Sequence, residues 1–353
     1  MSTLRGIVCV LMGIRSQRIG IKEVASAAGV SVTTVSHALN GKGRLPEATR
    51  LRVRNVADQL GYRPNVTARN LVVGRTGLLG LAVSQAGGPP FAASDFAYFA
   101  QLMMAASTEA IADGYALVLA PADGALDPSA GIAVDGAIIV DPVRDDPLVE
   151  RLRSAGITVV TTGRDPGTGE RGYWVDNNHI AGASSMLDHL ERRGGKRIAL
   201  MTSPIEISYT SDVESAYRTW CGERRIEPLV KTTAADLTER AGYDAALDLL
   251  SRPDPPDAIF ATYDRLAFGT LMAADARGVR VPDDLLLATT ATESQAPEQV
   301  NPSLTTLNLH PEEIGRSAAR LLVDLLDEQE PAQRHVIVPH RVIARSSTRR
   351  GQG

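Results

Sequence analysis

The chain has 353 residues, 44% hydrophobic and 22% charged, the balance of a globular protein of two or three domains and not of a disordered one. Its longest apolar run, Gly6–Ile14, falls well short of the roughly 20 residues that span a bilayer, so no membrane segment is expected. The net charge of −4 hides a division: residues 15–75 carry eleven Lys/Arg and three acids, a net of +8, while the 278 residues after them carry −13. A small basic segment on a large acidic body is the asymmetry of a polyanion-binding module joined to something else.

Residues 1–18 read as a disordered extension; one Arg and an apolar stretch are followed by no small-residue cleavage site. Cys9 and Cys221 show no CxxC spacing, which argues against a disulfide framework or a zinc site. From Ile21 to Asn40 the residues meet the demands of a helix-turn-helix. Ala25 is small where two helices touch, and Gly29 tolerates the positive φ of the turn. Val24, Ala28, Val30, Val35 and Ala38 form the apolar stripe, and Ser31 is placed to cap the second helix. Val32, Thr33, Ser36 and His37 then point outward from its first turns, the end that enters a major groove. A third helix is expected from about Pro46 to Leu60, with Val53, Val56, Ala57 and Leu60 on one face and Gly61 closing it. Arg50, Arg52 and Arg54 lie around its other side, either on phosphates or in solvent.

Beyond a polar connector at 63–77, short apolar runs alternate with helical patterns. LLGLAV, YALVLA, DGAIIV, ITVVTT, RIALMT, DAIFAT and LLLATT read as strands. Helices are expected around Ala100–Asp113, Ile180–Arg193, Val213–Arg224, Ala241–Ser251 and Leu266–Arg277. Such alternation builds parallel sheets covered on both faces, and its length favours two Rossmann-like lobes with a cleft between them. No internal repeat is visible. GxSxG, HExxH and Walker motifs are absent, and G167-T-G-E-R-G172 leads into YWVD instead of a helix, so no helix N-terminus awaits a pyrophosphate. His189 reads as structural. Neither a cofactor nor an enzymatic activity is expected.

The stretches VASAAGVSVTTVSHALNG, ATRLRV, LGYRPN and Ala68-Arg69-Asn70-Leu71 resemble the lactose/galactose repressor family of bacterial transcription regulators, and the body is more loosely similar to that family's core. The resemblance implies an all-α helix-turn-helix DNA-binding domain (19–64), a hinge (65–77) and a periplasmic-binding-protein-like α/β core (78–346), with 347–353 as a tail. It implies that Val32, Thr33 and His37 read base edges, with Ser36 and Asn40 beside them. His37 stands where the family usually has Arg, exchanging a bidentate guanine contact for a single donor or acceptor. In the hinge, Ala68 and Arg69 accompany Leu71, which matches a wedge leucine that opens a minor-groove base step.

In the core the resemblance points to a small-molecule effector held near Tyr98, Phe99, Asp176, Tyr209, Phe260 and Asp264. Asp176-Asn177 is expected at a helix start and Tyr209 on a loop at the cleft mouth. Relatives that bind sugars or purines carry an Arg where this chain has Val213 and an Asp where it has Ala291, which argues against a common monosaccharide. A less polar ligand, or a weak or absent response, stays open. The expected protein is a cytoplasmic repressor that binds a near-palindromic operator as a homodimer, since no leucine heptad follows Arg345 to build a tetramer. The core alone also fits a solute-binding protein or an enzyme, readings that need an export signal or a catalytic group not found in the sequence.

Overall fold

A computed structural model describes residues 19–39, 44–62, 74–84, 96–120, 126, 132–167, 171–235, 237–291 and 296–350. The chain divides into two compact units between Arg75 and Thr76. The head has three helices, α1 (Ile21–Ala28), α2 (Val32–Leu39) and α3 (Glu47–Gln59). Gly29 makes the turn at φ 65°, and the Val30 amide reaches back to the Ala25 carbonyl at 3.0 Å. Ser31 caps α2 by accepting from the Thr34 amide at 3.1 Å. Val24, Ala25, Ala28, Val35, Ala38, Val53 and Ala57 form the core. Leu60, expected on the buried face of α3, instead follows the helix at its C-cap and is 37% exposed. Leu45 and Tyr62 pack on the core from outside α3.

The body opens with β1 (Leu78–Val83), α4 (Phe96–Ala112), β2 (Ala116–Leu119), β3 (Gly136–Val140), α5 (Pro147–Ser154), β4 (Thr158–Thr162) and β5 (Tyr173–Asn177). It continues with α6 (His179–Arg192), β6 (Ile198–Thr202), α7 (Ser208–Arg224), β7 (Leu229–Thr232), α8 (Glu239–Leu250), β8 (Ala258–Ala261), α9 (Asp264–Ala276) and β9 (Leu286–Thr290). It closes with α10 (Ala296–Gln299), β10 (Thr305–Asn308), α11 (Pro311–Leu326), β11 (His335–Val338) and β12 (Arg341–Ile343).

These strands form two six-stranded sheets, ordered β11-β5-β4-β3-β1-β2 and β12-β10-β9-β8-β6-β7. All pairs are parallel except β10 with β12. Each sheet is the centre of one lobe, and both lobes are wound in the same order, a duplication that leaves no trace as a sequence repeat. Central strands such as β3 and β8 are apolar and buried along their whole length because both faces are covered. In β9, Leu286 and Ala288 pack on the α6–α7 side while Leu287 packs on the α8–α9 side. Helices α8 and α9 touch backbone to backbone: a Cβ on Gly269 would stand 2.0 Å from the Glu239 carbonyl oxygen.

The chain passes between lobes three times, after β5, after β10 and after β11. Asn177 ties these crossings together, its amide donating to the Leu309 carbonyl at 3.1 Å and the Val338 carbonyl at 2.9 Å. Strands β5, β7, β10, β11 and β12 and helices α5 and α11 were not expected from the apolar runs. Several carry polar residues whose burial is made possible by hydrogen bonds, not by hydrophobicity, as in TTLN of β10. Ser347 and Thr348 are likewise fully buried, not part of a tail. Ser347 donates to the Leu287 carbonyl at 2.6 Å, and Thr348 meets His189 at 2.9 Å, so lobe 2 extends past residue 346.

Candidate functional sites

In the head, burial of Val35 and Ala38 fixes which way α2 faces. Val32, Thr33 and His37 are exposed and Ser36 is half-buried beside them. Val32 is 41% exposed although apolar, on a helix that contains no acid. That surface offers methyl groups suited to thymine, a hydroxyl suited to either kind of base edge, and one imidazole. Lys22, Arg44, Arg52 and Arg54 are exposed. Arg50 is not: its side chain is 15% exposed, with Glu47 at 3.8 Å. Asn40 and the hinge residues Ala68, Arg69 and Leu71 lie outside the described residues, as does the 1–18 extension.

In the body, the carboxyl ends of both sheets meet at a seam, the position where doubly wound sheets bind ligands. Val143 of lobe 1 and Ile207 of lobe 2 form an antiparallel bridge across it, and Arg144 pairs with Glu206 at 3.7 Å on its rim. Deeper, lobe 1 supplies Asp141 after β3, Arg164 after β4 and Asp176 in β5; lobe 2 supplies His179, Ser208 and Asp212. The His179 Nε2 lies 2.7 Å from Asp176 Oδ1, with both side chains 5% exposed or less. Ser208 donates to Asp176 Oδ2 at 3.1 Å, and Arg164 spans from Asp176 to Asp212. Gly163 leaves the gap in which the rest converge: a Cβ there would stand 3.3 Å from Asp141 Oδ1 and 3.4 Å from Ser208 Oγ.

The electrostatics follow from this crowding. Burial alone would raise the Asp176 carboxyl, but His179 and Arg164 hold it below the ordinary carboxylate range. Burial would lower His179, but the carboxylates of Asp176, Asp212 and Asp141 hold its proton on. Asp141 is pushed up to about 7, by burial first and by Asp176 second, against the opposing charge of His179. Burial also raises Asp212 in spite of Arg164.

The expected effector residues fall into two groups. Tyr98 is half-buried and packs on the cores of both lobes, so it spans the seam. Phe99, edge-on to it at 5.5 Å, belongs to the lobe 1 core. Phe260 is wholly enclosed, because its place in β8 turns the ring onto the α6–α7 face. Asp176 ends a strand, and Asn178 is the cap of α6, so Asp176-Asn177 does not open a helix. Tyr209 sits in the first turn of α7 and not on a loop. Its hydroxyl donates to the Thr262 carbonyl at 2.6 Å and lies 2.7 Å from the Thr290 hydroxyl, and its ring meets those of His179 and Tyr263 edge-on. Asp264 opens α9, half-buried, and burial pushes it up to about 6.

The earlier start of α7 also changes the meaning of Val213, which is fully buried in the lobe 2 core. The charged residue on that turn is Asp212, and its cation comes from lobe 1. Asp141, Arg164, His179 and Asp212 were all passed over in the sequence. Asp141 directly follows an apolar strand run, and Arg164 follows one by two residues, a usable signal given that ligands gather at strand carboxyl ends. Among the described residues no cluster of His, Cys, Asp or Glu is placed to hold a metal, and no helix is long and apolar enough to cross a membrane.

A helix-turn-helix head joined to a two-lobed, periplasmic-binding-like core defines a class of DNA-binding regulators. The description "Bacterial regulatory proteins, lacI family" matches residues 20–65, and "Periplasmic binding protein-like domain" matches residues 187–348. The chain is 31% identical over 343 residues to the HTH-type transcriptional regulator CelR of Thermobifida fusca, covering 94% of this chain and 99% of that protein. The structure of a CelR–cellobiose complex superposes with a TM-score of 0.69 at 30% identity, over 94% of this chain and all of that one. The HTH-type transcriptional repressor PurR of Shigella dysenteriae is 29% identical over 340 residues, covering 94% and 97% of the two chains. A lac repressor dimer bound to operator and an anti-inducer shares the fold, with a TM-score of 0.72 at 20% identity over 94% and 99%. This chain belongs to the LacI family of bacterial transcriptional regulators, with that family's effector-binding core as its body.

Proposed function

We propose that the protein is a cytoplasmic, effector-responsive repressor that binds a near-palindromic operator as a homodimer. The observation that carries this reading is the exposed, acid-free face of α2, with Val32, Thr33 and His37 outward over a packed core. Asn40 contacts the operator beside them, and Ala68, Arg69 and Leu71 act in the minor groove between two half-sites. A second copy is favoured by apolar side chains on the body surface. Met104 (69% exposed) and Ile111 (64%) lie seven residues apart on α4, and Leu119 (52%) lies on the edge strand β2. Effector binds at the seam, contacted by Tyr98, Asp176, Tyr209 and Asp264. Cellobiose is the first compound to try because CelR was solved with it.

Fluorescence anisotropy against the DNA upstream of the coding sequence, taken across a salt series, tests the reading. A steep negative slope of log affinity against log salt is expected from phosphate neutralisation, and no binding at low salt defeats it. Sedimentation at micromolar concentration should show a dimer that Met104→Lys with Ile111→Lys converts to monomer.

A further inference from the structure

Among the described residues, the charges clustered deep in the seam are unequal in number. Three carboxylates (Asp141, Asp176, Asp212) face two cations (Arg164 and His179), and Arg164 is already shared between Asp176 and Asp212. A half-buried carboxylate drawn into such a cluster without its own counter-charge is costly, and a proton is the smallest group that removes the cost. The cluster is also divided between the lobes, so parting them hydrates every member. We propose that shutting the two lobes takes up a proton at the Asp141 carboxyl, which makes lobe closure in this regulator dependent on pH. The reading concerns the body alone and holds whether or not effector or operator is bound.

The sign follows from linkage. In the shut seam Asp141 keeps its proton up to about pH 7; with the lobes apart and the carboxyl in water it returns to its ordinary value near 3.8. Between those two values the shut form binds one more proton than the open form. Closure is therefore favoured in acid and weakens by up to about tenfold per pH unit as pH rises towards 7, then levels off for this group. His179 adds to the same trend above its ordinary value of 6.5, since the carboxylates around it hold its proton in the shut form.

Of the other groups at the seam, Asp212, raised by burial, and Asp264, pushed up to about 6, follow the same trend, Asp176 is held charged in the shut form, and His340 works the other way. Each of the three crossings carries a histidine: His179 after β5, His310 after β10 and His340 after β11. Burial, then the charges of His179 and His310, push His340 down, so acid below 6.5 opposes closure there. Ser185 lies 3.3 Å from the His340 ring, and the Ser208 and Tyr209 hydroxyls are engaged with Asp176 and with Thr262 and Thr290. The rim pair Arg144–Glu206 is exposed and neutral as a pair.

The experiment uses the full chain with Cys9→Ser, leaving Cys221 buried, and spin labels on Glu150→Cys in lobe 1 and Asp275→Cys in lobe 2. The distance between labels is measured from pH 5 to 8 with no ligand. The open fraction should rise between pH 5 and 7, and in Asp141→Asn, which keeps the shape of a protonated carboxyl, the profile below pH 6.5 should be clearly shallower, by the share of one proton. Infrared difference spectra on the same samples should show a protonated-carboxyl band in acid whose component fading near pH 7 is lost in Asp141→Asn. Distances that ignore pH, a slope that Asp141→Asn leaves unchanged, or a carboxyl band unaffected by that substitution would each overturn the proposal.

Discussion

The head and the body use burial in opposite ways. In the head, the residues proposed to read DNA lie on the solvent-facing side of α2 and the buried ones hold them in place. In the body, the charged residues most concentrated at the candidate site are buried or half-buried, and large apolar side chains are exposed on α4 and β2. The difference follows from what each part must recognise. A base edge is brought to the protein already solvated and can be read by a convex helix, whereas a small ligand must be enclosed before a few polar contacts can select it. It follows that damage to packing should affect the two parts through different readouts, and surface changes should matter in only one of them.

The largest effect should come from Gly269→Ala. The new methyl group meets the Glu239 carbonyl and the Tyr243 amide nitrogen, both backbone atoms that cannot turn aside. Helices α8 and α9 must separate, at a cost above about 3 kcal/mol. Both tryptophans, Trp174 and Trp220, belong to the body, so their fluorescence in a denaturant series isolates this loss, while hydrogen exchange in the head should stay as in the parent. Loss of protection in the head alongside the body would break the separation drawn above.

Val35→Ala is the reciprocal test, worth about 2 kcal/mol from two buried carbons and the cavity they leave. Of the seven side chains in the head core, four are alanine and three valine, so this core has little apolar surface to lose. Operator affinity should collapse and α1–α3 exchange freely, with the tryptophan transition of the body unchanged.

The same inversion decides what could be read in the sequence. The head was legible almost residue by residue because its constraints are steric and local: Gly29 for a positive φ, Ser31 for a cap, Ala25 for a close contact. Leu60 failed because helical periodicity was extended one residue beyond the helix. The alternation of strands and helices in the body was legible too, since strands such as GAIIV and RIALMT are apolar throughout. The seam was not. Its members lie far apart in the chain, from Asp141 to Asp212, and become neighbours only when two sheets place their carboxyl ends together. The Arg that relatives carry near the start of α7 gives way to Val213 here, and the cation that meets this helix at the seam, Arg164, comes from the other lobe to Asp212. Tyr98 and Phe99 show how far a local reading reaches: adjacent in sequence, one spans both lobes and the other lies in the core of one.

His37→Ala sharpens the claim that exposed residues in the head carry specificity. His37 is exposed and can be truncated without a cavity, so thermal stability should not change. Selection from a randomised operator should lose preference at one base pair per half-site, about 1 kcal/mol for a single hydrogen bond. Unaltered preference would remove His37 from the reading face and leave Val32 and Thr33 to account for it.

The smallest effect concerns Arg52 and Arg54, both exposed on α3. At 100° per residue, two positions are separated by about 200° around the helix, so the guanidinium groups leave on opposite sides. One duplex can meet only one of those sides. Replacing both with Gln should therefore reduce the salt slope of binding by about 0.9, the value for one phosphate contact, instead of about twice that. Base preference should not move, because phosphate contacts position the protein without reading sequence. A fall near 1.8 would mean that α3 lies along the groove with both arginines on the backbone. No fall would make this face of α3 solvent, and the positive charge of the head would then act through Lys22, Arg44 and the residues beyond Tyr62.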